Sequence, residues 1–120
     1  MSEGEDRTYV DFFRDMLVHA RLAEQILGDL PAQEFAENTT TQLAVVHTLQ
    51  VLGEAAMHIP PPVQQQFPDI PWRQIIGMRH RIVHAYAEIK LGVVWETVRT
   101  DIRPLTVQLA AIIEMIERQS

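Results

Sequence analysis

The stretch WRQIIGMRHRIVHAY, residues 72–86, decides the fold because its apolar residues recur at the three- and four-residue spacing of an amphipathic helix. The predicted helix runs from Trp72 to about Tyr86, and Pro71 is suited to a first helical position. On a wheel of about 100° per residue, the apolar residues form one broad arc that also contains Arg79 and Tyr86. The members of the arc are Ile75, Ile76, Met78, Ile82, Val83 and Ala85.

The position of Arg79 inside an apolar arc is unusual. A buried arginine is costly unless its charge is paired or faces a cavity or a partner. We therefore expect this arc to face a cleft or a second subunit. The alternative is that Arg79 buries its stem and forms a structural ion pair with an acid such as Glu54.

The two histidines and the tyrosine of the stretch each have two interpretations. His80 and His84 have the spacing of metal ligands, which is a weak signal without a third ligand nearby. His84 alone would also be favourable near the negative end of the helix dipole, and Tyr86 alone would pack its ring and hydrogen-bond its hydroxyl. The other histidines fall on other predicted helices; they are His19, His47 and His58.

The rest of the chain also reads as helices with short connections. Apolar spacing predicts one helix over residues 8–28 and another that begins at Asn38 or a following threonine and ends at the prolines at 60–62. A last helix covers residues 91–117, with Pro104 expected to kink or divide it. No stretch alternates long enough to predict a strand. We expect an all-α, up-and-down helical bundle of four to five helices, with residues 1–120 forming a single domain.

Composition excludes several classes of function. The 120 residues include no cysteine, which rules out disulfides, thiolate catalysis and cysteine-ligated metal sites. The net charge of −6 argues against a protein that coats nucleic acid, although five arginines in the second half leave room for a local basic site. These are Arg73, Arg79, Arg81, Arg99 and Arg103. The amino terminus shows no secretory signal and no apolar stretch approaches a membrane span, so we expect a cytoplasmic protein without membrane contact.

The segment RHRIVHAY fits an Arg-x4-His-x-Tyr signature and resembles that of HEPN-domain proteins, specifically the HepT-like toxins of prokaryotic toxin–antitoxin pairs. Three blocks in the same order extend the resemblance over about 70 residues, whereas the first 35 or so residues match loosely. The blocks are VLGEAAMHIPP at 51–61, FPDIPWRQIIGMRHRIVHAY at 67–86 and VWETVRTDIRPL at 94–105.

The resemblance implies a HEPN-like dimer with a metal-independent endoribonuclease site between protomers and no cofactor. It places Arg79 and His84 as catalytic residues. Tyr86 would receive AMP from a minimal nucleotidyltransferase antitoxin, as in a type VII-like system. His80 stands where asparagine is common, and since imidazole titrates near neutral pH it becomes a possible assisting group.

Helical geometry agrees with a dimer. Arg79 and His84 lie about 140° apart on an ideal helix, so they converge on one phosphate only if the helix loosens near His84 or if two chains combine across a two-fold axis. Two other interpretations stay open. One is a non-catalytic scaffold that binds a nucleotide or a nucleotidyltransferase; the other is a purely structural helical dimer.

Overall fold

A computed structural model describes residues 8–119 of the chain, and this part is all-α, with no strand. Seven α-helices follow one another along it. They are α1 (Tyr9–Leu27), α2 (Ala32–Glu37), α3 (Thr39–Met57), α4 (Pro61–Gln66), α5 (Trp72–His84), α6 (Leu91–Glu96) and α7 (Arg103–Gln119). A 3-10 turn at Tyr86–Glu88 follows α5, and a π-helical segment at Thr97–Ile102 joins α6 to α7.

The first two long helices begin and end where the sequence predicts. Thr8 caps α1 through a capping box with Asp11, and Gly28 ends it with a positive φ of 55°. Asn38 caps α3 by accepting a hydrogen bond from the backbone N–H of Thr41 at 3.0 Å. The amino-terminal expectation about a secretory signal concerns residues 1–7 above all, and these lie outside the described residues.

Two short helices, α2 and α4, show no clear apolar period in the sequence, because six residues are too few for one. Phe35 anchors α2 with its buried side chain. The prolines at 60–62 do end α3, but Pro61 and Pro62 also begin α4, where a missing backbone N–H costs nothing.

The last predicted helix is divided, as Pro104 requires, by a wider turn rather than by a break. Residues Thr97–Ile102 form a π-helical segment immediately before α7, in which Pro104 is the second residue. In this segment Arg99 donates hydrogen bonds to the backbone carbonyls of Gly28 and Leu30 and lies 5.2 Å from the centre of the Trp95 ring. The π turn therefore fastens α6 and α7 to the end of α1.

The long helices pack in the order α7, α1, α3, α5, with α1 against both α3 and α7, and α3 against α5. Their shared core is apolar, and its largest fully buried side chains are Phe13, Phe35, Met16, Leu27, Ile59, Leu109, Val45 and Val94. Within residues 8–119, no helix combines the length and the apolar composition that crossing a membrane requires.

Candidate active site

The first turn of α5 is fixed by Trp72. Its indole Nε1 donates to the carbonyl oxygens of Gln64 and Phe67, at 3.1 and 3.0 Å. The same ring meets the ring of the buried Phe13 with centroids 6.0 Å apart. Hydrogen bonds and ring contact together set where α5 begins and how it lies on α1.

The middle of α5 is set by Gly53 of α3. A Cβ added to Gly53 would overlap the Cβ of Arg79 and would lie 3.1 Å from the carbonyl oxygen of Ile75. The two helices therefore approach as closely as they do only because position 53 has no side chain. This contact fixes the stem of Arg79 directly.

The guanidinium of Arg79 lies at the edge of the core. Its side chain is 21% exposed, and its Nη2 donates to Oε1 of Glu54 at 3.0 Å. Its Nε is buried and has no hydrogen-bond acceptor within residues 8–119. The ion pair that the sequence allowed as an alternative is present, while the buried Nε of the guanidinium has no acceptor in the described part of the chain.

Two cavities beside α5 lie on the side of the helix away from Arg79, so neither of them is a cleft at this arginine. The apolar arc is only partly covered. Ile75 and Ile82 are buried, Ile76 is half-buried, and Val83, which shares the side of α5 that carries Arg79, is 41% exposed.

His80 and His84 lie on the exposed side of α5, with ring centroids 4.5 Å apart. They are one helical turn apart, and His84 is the last residue of α5. In the part of the chain that the structure describes, no group of three His, Cys, Asp or Glu side chains is placed to hold a metal ion.

The helix ends two residues before the predicted position. Ala85 leaves the helical region, with φ −142° and ψ 42°, and Tyr86 begins the 3-10 turn. The prediction that Tyr86 shares one helical arc with Arg79 is therefore wrong. The turn brings Ile89 against the core, and the side chain of Tyr86 is 50% exposed.

Arg79 and His84 do not converge within one chain. Because α5 is regular up to His84, the angle of about 140° between them holds. One side chain points along α3 to Glu54, while the other faces solvent. Within one chain the two side chains therefore lie on different sides of α5.

Of the five arginines that the sequence offers for a local basic site, the structure leaves only the three on α5 available together. Arg99 is engaged with backbone carbonyls, and Arg103 pairs with Glu24 at 3.4 Å. The remaining three arginines of the group, Arg73, Arg79 and Arg81, all lie on α5, which has no acidic residue.

A groove of about 770 Å³ runs along the other side of α5, between this helix and the α6–α7 segment. Its floor is apolar and includes Leu49, Leu52 and Ile75. Arg73, Arg81 and Gly77 line the wall formed by α5, and an adjoining cavity of about 290 Å³ adds Lys90. The sequence indicated neither groove nor close helix contact, although an isolated glycine in the helical run VLGEAAM is a known sign of packing.

Comparison with known proteins identifies the family. The family model described as "Ribonuclease HepT-like" matches residues 16–112. A protein named "Probable ribonuclease HepT" from Thermococcus cleftensis is 33% identical over 99 residues, which cover 82% of this chain and 90% of that protein. A provisionally named RNase from Methanocaldococcus jannaschii is 30% identical over 90% of this chain and 93% of its own length.

No solved structure gives a significant match. The match of the family model nevertheless covers most of the chain, including α5 and the Arg-x4-His-x-Tyr signature. The chain belongs to the HepT-like ribonuclease family.

Proposed function

We propose that the protein is a metal-independent endoribonuclease toxin of a type VII-like toxin–antitoxin system, with Arg79 and His84 as its catalytic residues. The observation that carries the proposal is the arrangement of Arg79. Glu54 and Gly53 fix this arginine at the edge of the core with Nε unused. A guanidinium held in this way is preorganised for an anionic phosphate oxygen.

The cleavage reaction needs a base, an acid and a positively charged group, and these needs set the roles of Arg79, His84 and His80. In the cleavage step a base removes the proton of the RNA 2′-hydroxyl, the 2′-oxygen attacks phosphorus, and the 5′-oxygen leaves with a proton from an acid. Imidazole suits proton transfer near neutral pH, so His84 acts as base or acid and His80 assists. Arg79 binds the non-bridging oxygens and stabilises their developing charge.

The site forms in a homodimer. Arg79 and His84 diverge within one chain, while Ile76 and Val83 leave apolar surface beside Arg79. Covering this surface with a second copy across a two-fold axis would bring Arg79 of one protomer towards His84 of its partner. The unused Nε of Arg79 would then face the shared cleft.

Tyr86 is the proposed site of control by a minimal nucleotidyltransferase antitoxin. Its side chain is 50% exposed, and its hydroxyl makes no hydrogen bond within residues 8–119. The phenolic oxygen would attack the α-phosphorus of ATP and release pyrophosphate. The AMP group adds bulk and negative charge two residues from His84, which repels RNA. Mass spectrometry after co-expression with such an enzyme should locate AMP on Tyr86, and an adduct elsewhere would move the site.

The direct test of catalysis uses two single variants. We expect Arg79→Ala and His84→Ala each to lower the rate of RNA cleavage by about a hundredfold or more and to abolish toxicity. Arg118→Ala, which removes an exposed arginine from the end of α7, is the control and should cleave like wild type. Wild-type rates in both test variants would refute the assignment. Loss of activity in EDTA and its return with a divalent ion would refute the metal-free mechanism.

The ion pair of Arg79 with Glu54 also favours a second candidate, a non-catalytic scaffold in which Arg79 is structural. His84→Gln separates the two candidates. A scaffold keeps its binding to nucleotide or nucleotidyltransferase in this variant, and its wild-type form does not arrest growth when expressed alone. A ribonuclease arrests growth as wild type and loses that effect with His84→Gln.

A further inference from the structure

The exposed face of α5 is cationic. The helix contributes three arginines and two histidines and no acidic residue, in a protein whose net charge is −6. Arg79 is paired with Glu54, but Arg73 and Arg81 are exposed and form no ion pair within residues 8–119. Two unpaired guanidinium groups on one acid-free helix favour a polyanionic ligand.

The two arginines lie on the same side of α5 as the histidines. On the helical wheel Arg73, His80 and His84 lie within about 40° of one another, and Arg81 lies about 60° beyond His84. From Arg73 to His84 the helix axis rises by about 16 Å. The exposed face therefore extends the candidate site along the helix instead of forming a separate patch.

Gly77 shapes this face. It occupies the middle of α5, where glycine costs helix stability. A Cβ placed there would meet only Nη1 of Arg81, at 3.8 Å. The guanidinium of Arg81 thus lies back along the helix over Gly77, towards Arg73, on the edge of the groove.

The groove itself is balanced in charge. Asp69 and Asp101 line it together with Arg73 and Arg81, and Glu88 and Lys90 share the adjoining cavity. Its floor is apolar, and Gln74, Gln108, Thr97 and Thr100 line its sides. Such a surface suits uncharged, partly apolar groups that carry hydrogen-bonding edges, whereas phosphates belong on the exposed edge of α5.

We propose that this edge binds the RNA single strand that flanks the scissile phosphate. Arg73 and Arg81 contact its phosphates, and its unpaired bases turn into the groove beside α5. Duplex RNA would not fit, because its bases are engaged with each other and cannot enter the groove. The inference rests on the proposed function and names the form of RNA that the site takes.

The test uses fluorescence anisotropy to measure binding of a fluorescein-labelled, single-stranded RNA of about 12 nucleotides over a series of salt concentrations. The parent protein is the full chain with His84→Ala, which prevents cleavage during the measurement. Adding Arg73→Gln and Arg81→Gln should weaken binding by about tenfold or more and reduce the slope of log K against log salt by about 1.4, for two lost contacts. Arg73→Lys with Arg81→Lys should restore most of the affinity, which excludes misfolding as the cause.

The matched control is Arg103→Gln with Arg118→Gln, which removes the same charge from exposed positions on α7. It should bind within about twofold of the parent at moderate salt, since only long-range attraction is lost. A duplex of the same sequence should bind more weakly than the single strand.

Three outcomes would overturn the inference. The first is an unchanged affinity and slope for Arg73→Gln/Arg81→Gln. The second is a loss equal to that of the control pair. The third is intact RNA binding together with lost capture of the nucleotidyltransferase, which would make the edge a protein interface. A separate cleavage assay tests the proposed function: if the wild-type chain does not cleave RNA, the proposed function fails whatever the binding experiment shows.

Discussion

At the scale of single residues, Glu54 sets the position of the Arg79 guanidinium. The carboxylate accepts a hydrogen bond from one of the five N–H donors of the guanidinium, while the buried Nε has no acceptor within residues 8–119. Because the Glu54 side chain is 46% exposed, the pair contributes less than about 1 kcal/mol to folding. Its effect is therefore on the position of the arginine more than on stability.

Glu54→Gln is the variant that separates position from stability. The glutamine side chain has nearly the same shape as glutamate but no charge, so we expect Arg79 to sample several orientations and kcat for RNA cleavage to fall by about tenfold with KM less affected. The thermal midpoint should change little. Glu96→Gln, an exposed acid with no ion pair in the described chain, is the control. A higher kcat in Glu54→Gln would show instead that the carboxylate competes with the substrate phosphate.

At the scale of helices, the sequence predicts those helix boundaries that follow from local apolar spacing and capping residues. The spans of α1 and α3 follow from amphipathic spacing and from the caps Thr8 and Asn38. The end of α5 does not, because residues 85–90 include no glycine or proline to signal it. The chain turns there so that Ile89 reaches the core, which is a tertiary effect.

The candidate site shows the same limit. Residue types and spacing single out Arg79, His80, His84 and Tyr86, and they allow a Glu54 partner. They do not reveal that Arg79 lies against Gly53, or that Arg73 and Arg81 border a groove, since both depend on how helices far apart in sequence approach each other.

The contact between Gly53 and Arg79 gives a prediction for the pair of helices. Gly53→Ala must push α3 and α5 apart, because the added methyl group overlaps the Cβ of Arg79, which cannot rotate away. We expect a loss of about 1–3 kcal/mol in the free energy of unfolding, despite the better helix propensity of alanine. Thermal or denaturant unfolding measures it.

Gly92→Ala is the control for that variant. Nothing lies within 4 Å of a Cβ at position 92, which is also helical. Alanine there should leave stability unchanged or raise it by up to about 1 kcal/mol. Equal effects of the two substitutions would show that the close approach of α3 and α5 is not tight in solution.

At the scale of the whole molecule, three features meet on α5. One side packs on α3 through Gly53. The next leaves Ile76 half-buried and Val83 exposed beside Arg79, and the third exposes His80, His84, Arg73 and Arg81. A helix arranged in this way can serve the core, a second subunit and an anionic ligand at the same time. The proposed dimer is the arrangement that would bring the divergent Arg79 and His84 together.

A shared site makes a quantitative prediction for mixed dimers. Protomers with Arg79→Ala and protomers with His84→Ala are each expected to be inactive alone. If they are unfolded and refolded together, about half of the dimers are mixed, and each mixed dimer has one intact site built from Arg79 of one protomer and His84 of the other. RNA cleavage should then recover to about a quarter of the wild-type rate.

The control for this experiment mixes wild-type protomers with protomers that carry both substitutions. Random pairing makes about one dimer in four wild type, with two intact sites. Mixed dimers have no intact site, so about a quarter of the wild-type rate should again remain. If each chain carried a complete site of its own, this control mixture would keep about half of the rate, and the mixture of the two single variants would stay inactive. The two mixtures together therefore distinguish a site shared between protomers from one built within a single chain.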